Sequence, residues 1–356
     1  MRLLPLPAPK FVAFHSRGEP MEYRQLGRTG MKVSTLCLGT MTFGSDFYHI
    51  ATVAQKEADE IVRRAWESGI NFFDTADIYS RGESEEILGK ALKNIGIERD
   101  AAVIATKVRG SMSDVDPNGT GLSRKHIMTA CHASLRRLGT DRIDLYQVHG
   151  WDCHTPMDET LRALDDLVRS GKVLYAGCSN WPARHIARAQ ALADAGQWTG
   201  FSSLQAYYSL VGRDLEHELL PLCREQGLGV LPWSPLSGGF LTGKYRRDTS
   251  APADGRRKDF DFPPIDQVHG YDAVEAAESI AQKIGATIPQ VAIAWLLAQS
   301  GISSVIIGAK RMEQLKDNLG AVQVRLTGED VARLSAITAP APLYPQWMVS
   351  RQNSDE

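Results

Sequence analysis

The stretch NFFDTADIYSRGESEEILGKAL, residues 71–92, changes its period part-way along. Phe72 and Phe73 continue a short apolar run from Ile70 that suits a buried strand. Beyond Gly82, apolar residues return at Ile87, Leu88, Ala91 and Leu92, which is one face of a helix. Asp74 and Tyr79 lie in the joint between the two. A strand that ends on a carboxylate and passes through a short loop into a helix is one βα unit, and the same unit recurs along the chain.

Candidate strands fall at 32–39, 70–74, 101–107, 142–149, 173–179, 201–207, 228–234 and 303–309. They are near-continuous apolar runs, the pattern of parallel strands covered by helices. The helical patterns between them are KEADEIVRRAWESG, GESEEILGKALKN, SRKHIMTACHASLRRLG, MDETLRALDDLVRSGK, ARHIARAQALADAG, LEHELLPLCREQG and IPQVAIAWLLAQS. Several begin after Ser, Asp or Pro and stop at Gly, as capping requires. Eight βα units without a glycine-rich first turn predict an α/β chain folded as a closed (β/α)8 TIM barrel over residues 21–340, not a doubly wound sheet. The hairpin-like EYRQLGRTGMKVS is expected to plug the barrel bottom. Residues 245–272 read as a polar Pro/Gly-rich insertion after the seventh strand, either a lid or disordered. Residues 1–20 read as a disordered extension or an early start codon, and 341–356 as a tail that is either a flap over the mouth or a frayed end.

Composition narrows the function classes. The 356 residues carry 40 Lys plus Arg against 42 Asp plus Glu, with no dense basic stripe, so nucleic acid is not the expected partner. Five scattered cysteines without Cys-x-x-Cys spacing suggest neither a disulfide framework nor a zinc site, and no metal is expected. No apolar run approaches the roughly 20 residues that span a bilayer. A cytoplasmic protein without a membrane partner is the expectation.

In such barrels the chemistry gathers at the C-terminal ends of the strands. Asp74, Lys107, His149, Ser179 with Asn180, Gln205, and Trp233 with Ser234 all fall there. Singly, each has a structural reading as a cap, a solvated lysine or a core group. Closing the cylinder, however, brings Asp74, Tyr79, Lys107 and His149 to one pocket. A carboxylate can hold a buried lysine charged, the lysine can favour the phenolate, and the phenol can then protonate a developing alkoxide. No side chain supplies hydride, so a cofactor must.

DTADIYSRGESEEILGKAL resembles the signature of the aldo-keto reductase family, and ATK (105–107), DLYQVH (144–149), GCSN (177–180), LQAYYSL (204–210), PWSPLSGGFLTGKY (232–245) and IIGAKRMEQLKDN (306–318) follow in that family's order. The resemblance implies a catalytic tetrad of Asp74, Tyr79, Lys107 and His149, with Tyr79 as general acid and NADPH/NADP+ as cofactor. It implies Ser179, Asn180 and Gln205 on the nicotinamide carboxamide and Trp233 against the ring. It likewise assigns Ser234, Leu236, Gly238 and Lys244 to the dinucleotide, and Gly308, Lys310, Arg311, Gln314 and Asn318 to its adenosine 2′-phosphate end. SGGFLTGKY also approaches a phosphate-loop spacing, but Tyr245 stands where that motif needs Ser or Thr.

Rim residues Met41, Phe43, Trp151, Trp181 and Tyr208 are the expected substrate walls, suited to an apolar or ring-bearing carbonyl compound. The expected activity is reversible reduction of an aldehyde or ketone by a monomer or homo-oligomer. Two alternatives stand beside it: a cofactor-sensing regulatory subunit resembling the potassium-channel β subunits, and a Schiff-base lyase using Lys107.

Overall fold

The computed structural model describes residues 21–48, 50–247, 257 and 260–353. The extension expected at 1–20 lies outside them, as does part of the insertion after the seventh barrel strand. Two short strands, β1 (Tyr23–Gln25) and β2 (Lys32–Ser34), pair antiparallel. Eight parallel strands follow: β3 (Leu36–Gly39), β4 (Phe72–Asp74), β5 (Val103–Val108), β6 (Ile143–Val148), β7 (Val173–Ser179), β8 (Phe201–Tyr207), β9 (Gly229–Trp233) and β10 (Val305–Ile307). Their order is β10-β3-β4-β5-β6-β7-β8-β9. A bridge between Val230 and Ile302, with backbone bonds Val230 N to Gly301 O (3.1 Å) and Ser303 N to Val230 O (3.0 Å), joins the last edges. The run at 32–39 is therefore two elements, its first three residues belonging to the hairpin and its last four to the barrel.

Strand alternation sorts the core into two layers. Cys37, Phe72, Ala105, Leu145, Leu231 and Ile306 pack along the barrel axis, with Leu26 and Val33 of the hairpin beneath them. The larger cluster lies between strands and helices. The hairpin is thus the expected plug. Gly27 makes its seat possible: at φ +56° its Cα lies so close to the barrel floor that a Cβ would stand 2.4 Å from the Gly227 carbonyl oxygen.

The helices carrying the barrel are α1 (Gln55–Glu67), α2 (Glu83–Asn94), α3 (Arg124–Leu138), α4 (Met157–Arg169), α5 (Ala183–Gly196) and α6 (Leu219–Gln226). The supposed insertion gives up its C-terminal part to a helix at Gln267–Ile284, which the sequence reading missed. Asp266 caps it by accepting from the Val268 and His269 amides. Its interior Gly270 resembles a loop glycine but is a packing residue, since a Cβ there would meet the Phe240 ring at 2.8 Å. Further helices cover Ile288–Leu297, Met312–Leu319 and Gly328–Ile337, and the tail forms a seven-residue turn of helix, Gln346–Gln352. The tail is tethered by Gln346 Nε2 to His217 O (3.3 Å), with Tyr344 and Trp347 exposed. No single helix among the described residues is long and apolar enough to cross a membrane.

Candidate active site

Asp74 closes β4, and its carboxylate is the hub of the barrel mouth. Oδ1 accepts from Lys107 Nζ at 2.5 Å; Oδ2 accepts from Gln147 Nε2 at 3.0 Å and Gln205 Nε2 at 2.9 Å. Its backbone oxygen takes the Thr40 amide at 2.9 Å. Lys107, wholly buried on β5, spends its remaining protons on Thr75 O (2.7 Å) and Tyr79 Oη (3.2 Å). The His149 ring, one residue past β6, meets the Tyr79 ring edge-on with centroids 5.8 Å apart. The four expected tetrad residues therefore share one locus, three of them buried and His149 half-buried.

Burial governs the protonation states. It pulls the Lys107 ammonium down, but Asp74 and then Tyr79 outweigh it, and the net shift is upward. For Tyr79 burial wins over the neighbouring cation, so the phenol sits above its ordinary value and stays protonated. The favoured phenolate expected from the Lys107 charge alone is thus reversed in direction. Burial, followed by Lys107 and Arg109, drives the His149 imidazole well below its usual range, leaving a neutral ring.

Around this centre the predicted binding residues are found bonded to one another. Asn180 Nδ2 donates to His149 O (3.2 Å) and Ser179 Oγ (2.9 Å), and its Oδ1 accepts from Trp233 Nε1 (3.1 Å). Gln205 Nε2 also reaches Gln147 Oε1 at 3.2 Å. After β9 the chain turns through Ser234, Ser237 and Gly238, all at positive φ, and Ser234 Oγ accepts the Gly238 amide at 3.1 Å. Leu236 is half-buried in this turn and Lys244 is exposed beyond it. Across the mouth, Gln314 Oε1 accepts from the Lys310 and Arg311 amides (2.9 and 3.3 Å), and Asn318 Nδ2 donates to Gly308 O (3.2 Å), so one helix start presents two cations.

The substrate walls fare differently. Met41 and Trp151 are half-buried at the rim. Phe43, Trp181 and Tyr208 are 0%, 2% and 0% exposed. They pack in the layer between barrel and helices, Trp181 on Phe201 and Tyr208 on Trp295, with the Tyr208 hydroxyl donating to Glu216 at 2.7 Å. In this conformation they offer a ligand no surface. Other aromatics occupy the mouth instead: Phe47 lies edge-on to Tyr79, Tyr48 stacks on Phe260, and Phe262 stacks on Trp233 at 5.7 Å. The region read as a polar insertion thus places two aromatic rings on the rim. Gln147 was missed too, although an amide two residues before His149 and on the same strand face was its signal.

One acid near the signature is placed unexpectedly for the first turn of a helix. Glu85 is wholly buried, accepting from Thr106 Oγ1 at 2.5 Å and Arg137 Nε at 2.6 Å.

Fold and rim together define a (β/α)8 barrel with a hydrogen-bonded cluster of ionisable side chains at its mouth. The model of the Aldo/keto reductase family matches residues 35–339, and the chain belongs to that family. It is 41% identical to the uncharacterised oxidoreductase YrpG of Bacillus subtilis (strain 168), over 89% of this chain and 96% of that protein. It is 37% identical to a putative voltage-gated potassium channel subunit beta of Schizosaccharomyces pombe, over 94% and 98%. To versiconal hemiacetal acetate reductase of Aspergillus parasiticus it is 36% identical, over 91% and 99%.

Proposed function

We propose that this protein, in a cytoplasmic setting, reduces an aldehyde or ketone to the alcohol with NADPH, Tyr79 supplying the proton. The observation that carries the reading is the Lys107 ammonium shared between Asp74 and Tyr79 beside a neutral His149 ring. The donor set suits the cofactor. Ser179, Asn180 and Gln205 offer the hydroxyl and amide groups a carboxamide needs, and Trp233, bonded to Asn180 through its indole N–H, lies beside them. Lys310 and Arg311 at a helix start suit a phosphate, which favours NADPH over NADH. Bound there, the reduced nicotinamide supplies hydride.

The chain's own residues do the rest. Tyr79, kept protonated by burial, donates its proton to the carbonyl oxygen. Lys107 then holds the phenolate that forms, and Asp74 keeps Lys107 charged and aimed. The neutral His149 ring can hydrogen-bond the same oxygen. A lyase reading fares poorly, because every proton of Lys107 already has an acceptor and its net shift keeps it charged, whereas imine formation needs a free amine. A channel-subunit reading draws on the Schizosaccharomyces relative and expects slow turnover with a stable partner complex.

Purified protein should consume NADPH against a panel of aldehydes, ketones and sugars. Tyr79→Phe should lower turnover roughly 10²–10⁴-fold while cofactor binding, read by tryptophan fluorescence, stays near wild type. Turnover surviving within a few-fold would remove Tyr79 as the donor.

A further inference from the structure

On the helix side of the sheet, behind the tetrad, lies a second buried ionisable group that the proposed reaction does not use. Asp77 sits in the turn between Asp74 and Tyr79 and is 0% exposed. Its amide donates to Lys107 O at 3.1 Å, yet among the described residues no side chain donates to either carboxyl oxygen, and the Ile78 amide is the one backbone group that helps its charged form. Its charged and titratable neighbours come from each packed element: Glu85 of α2, Arg137 of α3, Lys107 of β5, Tyr146 of β6, and Tyr79 along the turn. Glu85 is already paired with Arg137, and Asp74 with Lys107. Those two pairs balance. An ionised Asp77 is therefore a buried charge with no counter-ion left for it, which low dielectric strongly disfavours. Ser80 and Arg81, immediately after Tyr79, are both at positive φ (47° and 53°), so the turn is tight: the phenol meets Lys107 while the Asp77 carboxyl faces Glu85 and Arg137.

We propose that Asp77 is a positioning residue for Tyr79: held uncharged behind the turn, it spares the phenol an uncompensated negative neighbour as the proton leaves. The inference rests on the reading of Tyr79 as proton donor. Burial, then Glu85, raises the Asp77 pKa to about 8, so its ionisation falls just above neutrality. Above that pH the phenolate must form beside a second negative charge. A unit charge acting over roughly 10 Å of protein at an effective dielectric of about 20 shifts a neighbouring ionisation by on the order of tenfold.

Asp77→Asn removes the charge and keeps the shape. The Tyr79 titration, read as the ultraviolet phenolate difference between each protein and its Tyr79→Phe counterpart, should move down by about one pH unit in Asp77→Asn. Reduction kcat/KM should fall about tenfold through pH 8 in the wild type and stay level in the variant. Asp77→Glu, which keeps the charge, should retain the wild-type titration. Asp77→Leu gives the neutral outcome should Asp77→Asn fail to fold. A phenol that does not move in the neutral variants, or an alkaline limb they retain, overturns the proposal. The phenolate titration needs no turnover: if the shift appears while no carbonyl is reduced, the proposed function falls and the linkage between Asp77 and Tyr79 stands.

Discussion

Asp74→Asn is the substitution most revealing of how the barrel mouth is held. The wild-type carboxylate accepts three side-chain donors, Lys107 on one oxygen and the Gln147 and Gln205 amides on the other. An asparagine has one oxygen and one amino group, so its amino group must face either the ammonium or two amides. A glutamine flip relieves part of that conflict only by breaking the bond between Gln205 and Gln147. Lys107 is left wholly buried without its counter-ion, and removing one partner of a buried pair costs about 3–5 kcal/mol against a total stability of about 5–15 kcal/mol. The pH dependence follows. In the wild type Lys107 titrates above its ordinary 10.5 when folded, so its contribution is present below that value and fades as pH rises through the higher folded one. Without Asp74 the burial effect dominates and pulls the folded value below 10.5, so the penalty is largest at low pH and shrinks as Lys107 discharges. Urea unfolding of both proteins at pH 7 and pH 9.5 should show a deficit of several kcal/mol that narrows at the higher pH. A deficit under about 1 kcal/mol at pH 7, or one that widens at pH 9.5, would refute this account of the pair.

Three further outcomes are expected. Gly89→Ala should destabilise by about 1–3 kcal/mol in chemical denaturation, although alanine is the better helix former, because a Cβ there would stand 2.3 Å from the Leu138 carbonyl oxygen; a stabilised variant would contradict the close seating of α2 on α3. Lys310→Ala combined with Arg311→Ala should weaken NADPH about 10–100-fold in calorimetric titration and leave NADH nearly unchanged, and an equal loss for both cofactors would count against the phosphate contact. Because burial depresses the His149 pKa far below 6.5, the ring remains neutral as pH falls, and reduction kcat/KM should show no limb from it between about pH 5.5 and 7.5. A His149-dependent limb in that range, lost in His149→Gln, would contradict the neutral ring.

The parts of the fold legible in the sequence are those that local periodicity dictates. Strands covered on one side by helices and on the other by the barrel interior have no polar face, so they read as apolar runs, and a carboxylate, lysine or histidine closing such a run stands out. Asp74, Lys107 and His149 are found this way. Gln147 was not: its place two residues before His149, on the same strand face, was a signal, but an uncharged amide inside DLYQVH stands out less than a charge, and its partner Asp74 lies on another strand. Glu85 is hidden for a similar reason: a glutamate in the first turn of a helix normally faces water. Here its partner, Arg137, comes from another helix 52 residues away. Three of the rim aromatics, Phe43, Trp181 and Tyr208, turn away from the mouth. Asn180 turns at φ +55°, and Trp181 after it folds back toward the helices, a reversal that strand-end position cannot report. Phe260 and Phe262 needed a long-range loop contact, which no local pattern encodes.

The alternation along β5 explains why the mouth and the layer behind it are one electrostatic unit. Ala105 faces the barrel axis, Thr106 faces the helices and bonds Glu85, and Lys107 faces the mouth and bonds Asp74. Slipping the strand by one residue would exchange those faces. A slip that put Lys107 in the place of Thr106 would set it in the helix layer beside Arg137, two buried cations together against Glu85, while Asp74 would face Val108 in place of its ammonium. Both errors are expensive in low dielectric, so the two buried pairs fix the register from opposite sides of one strand. Asp77 lies in the turn that links those sides, with its amide on the Lys107 carbonyl. The turn that carries both Asp77 and Tyr79 is therefore anchored to a strand with no alternative register to slip into.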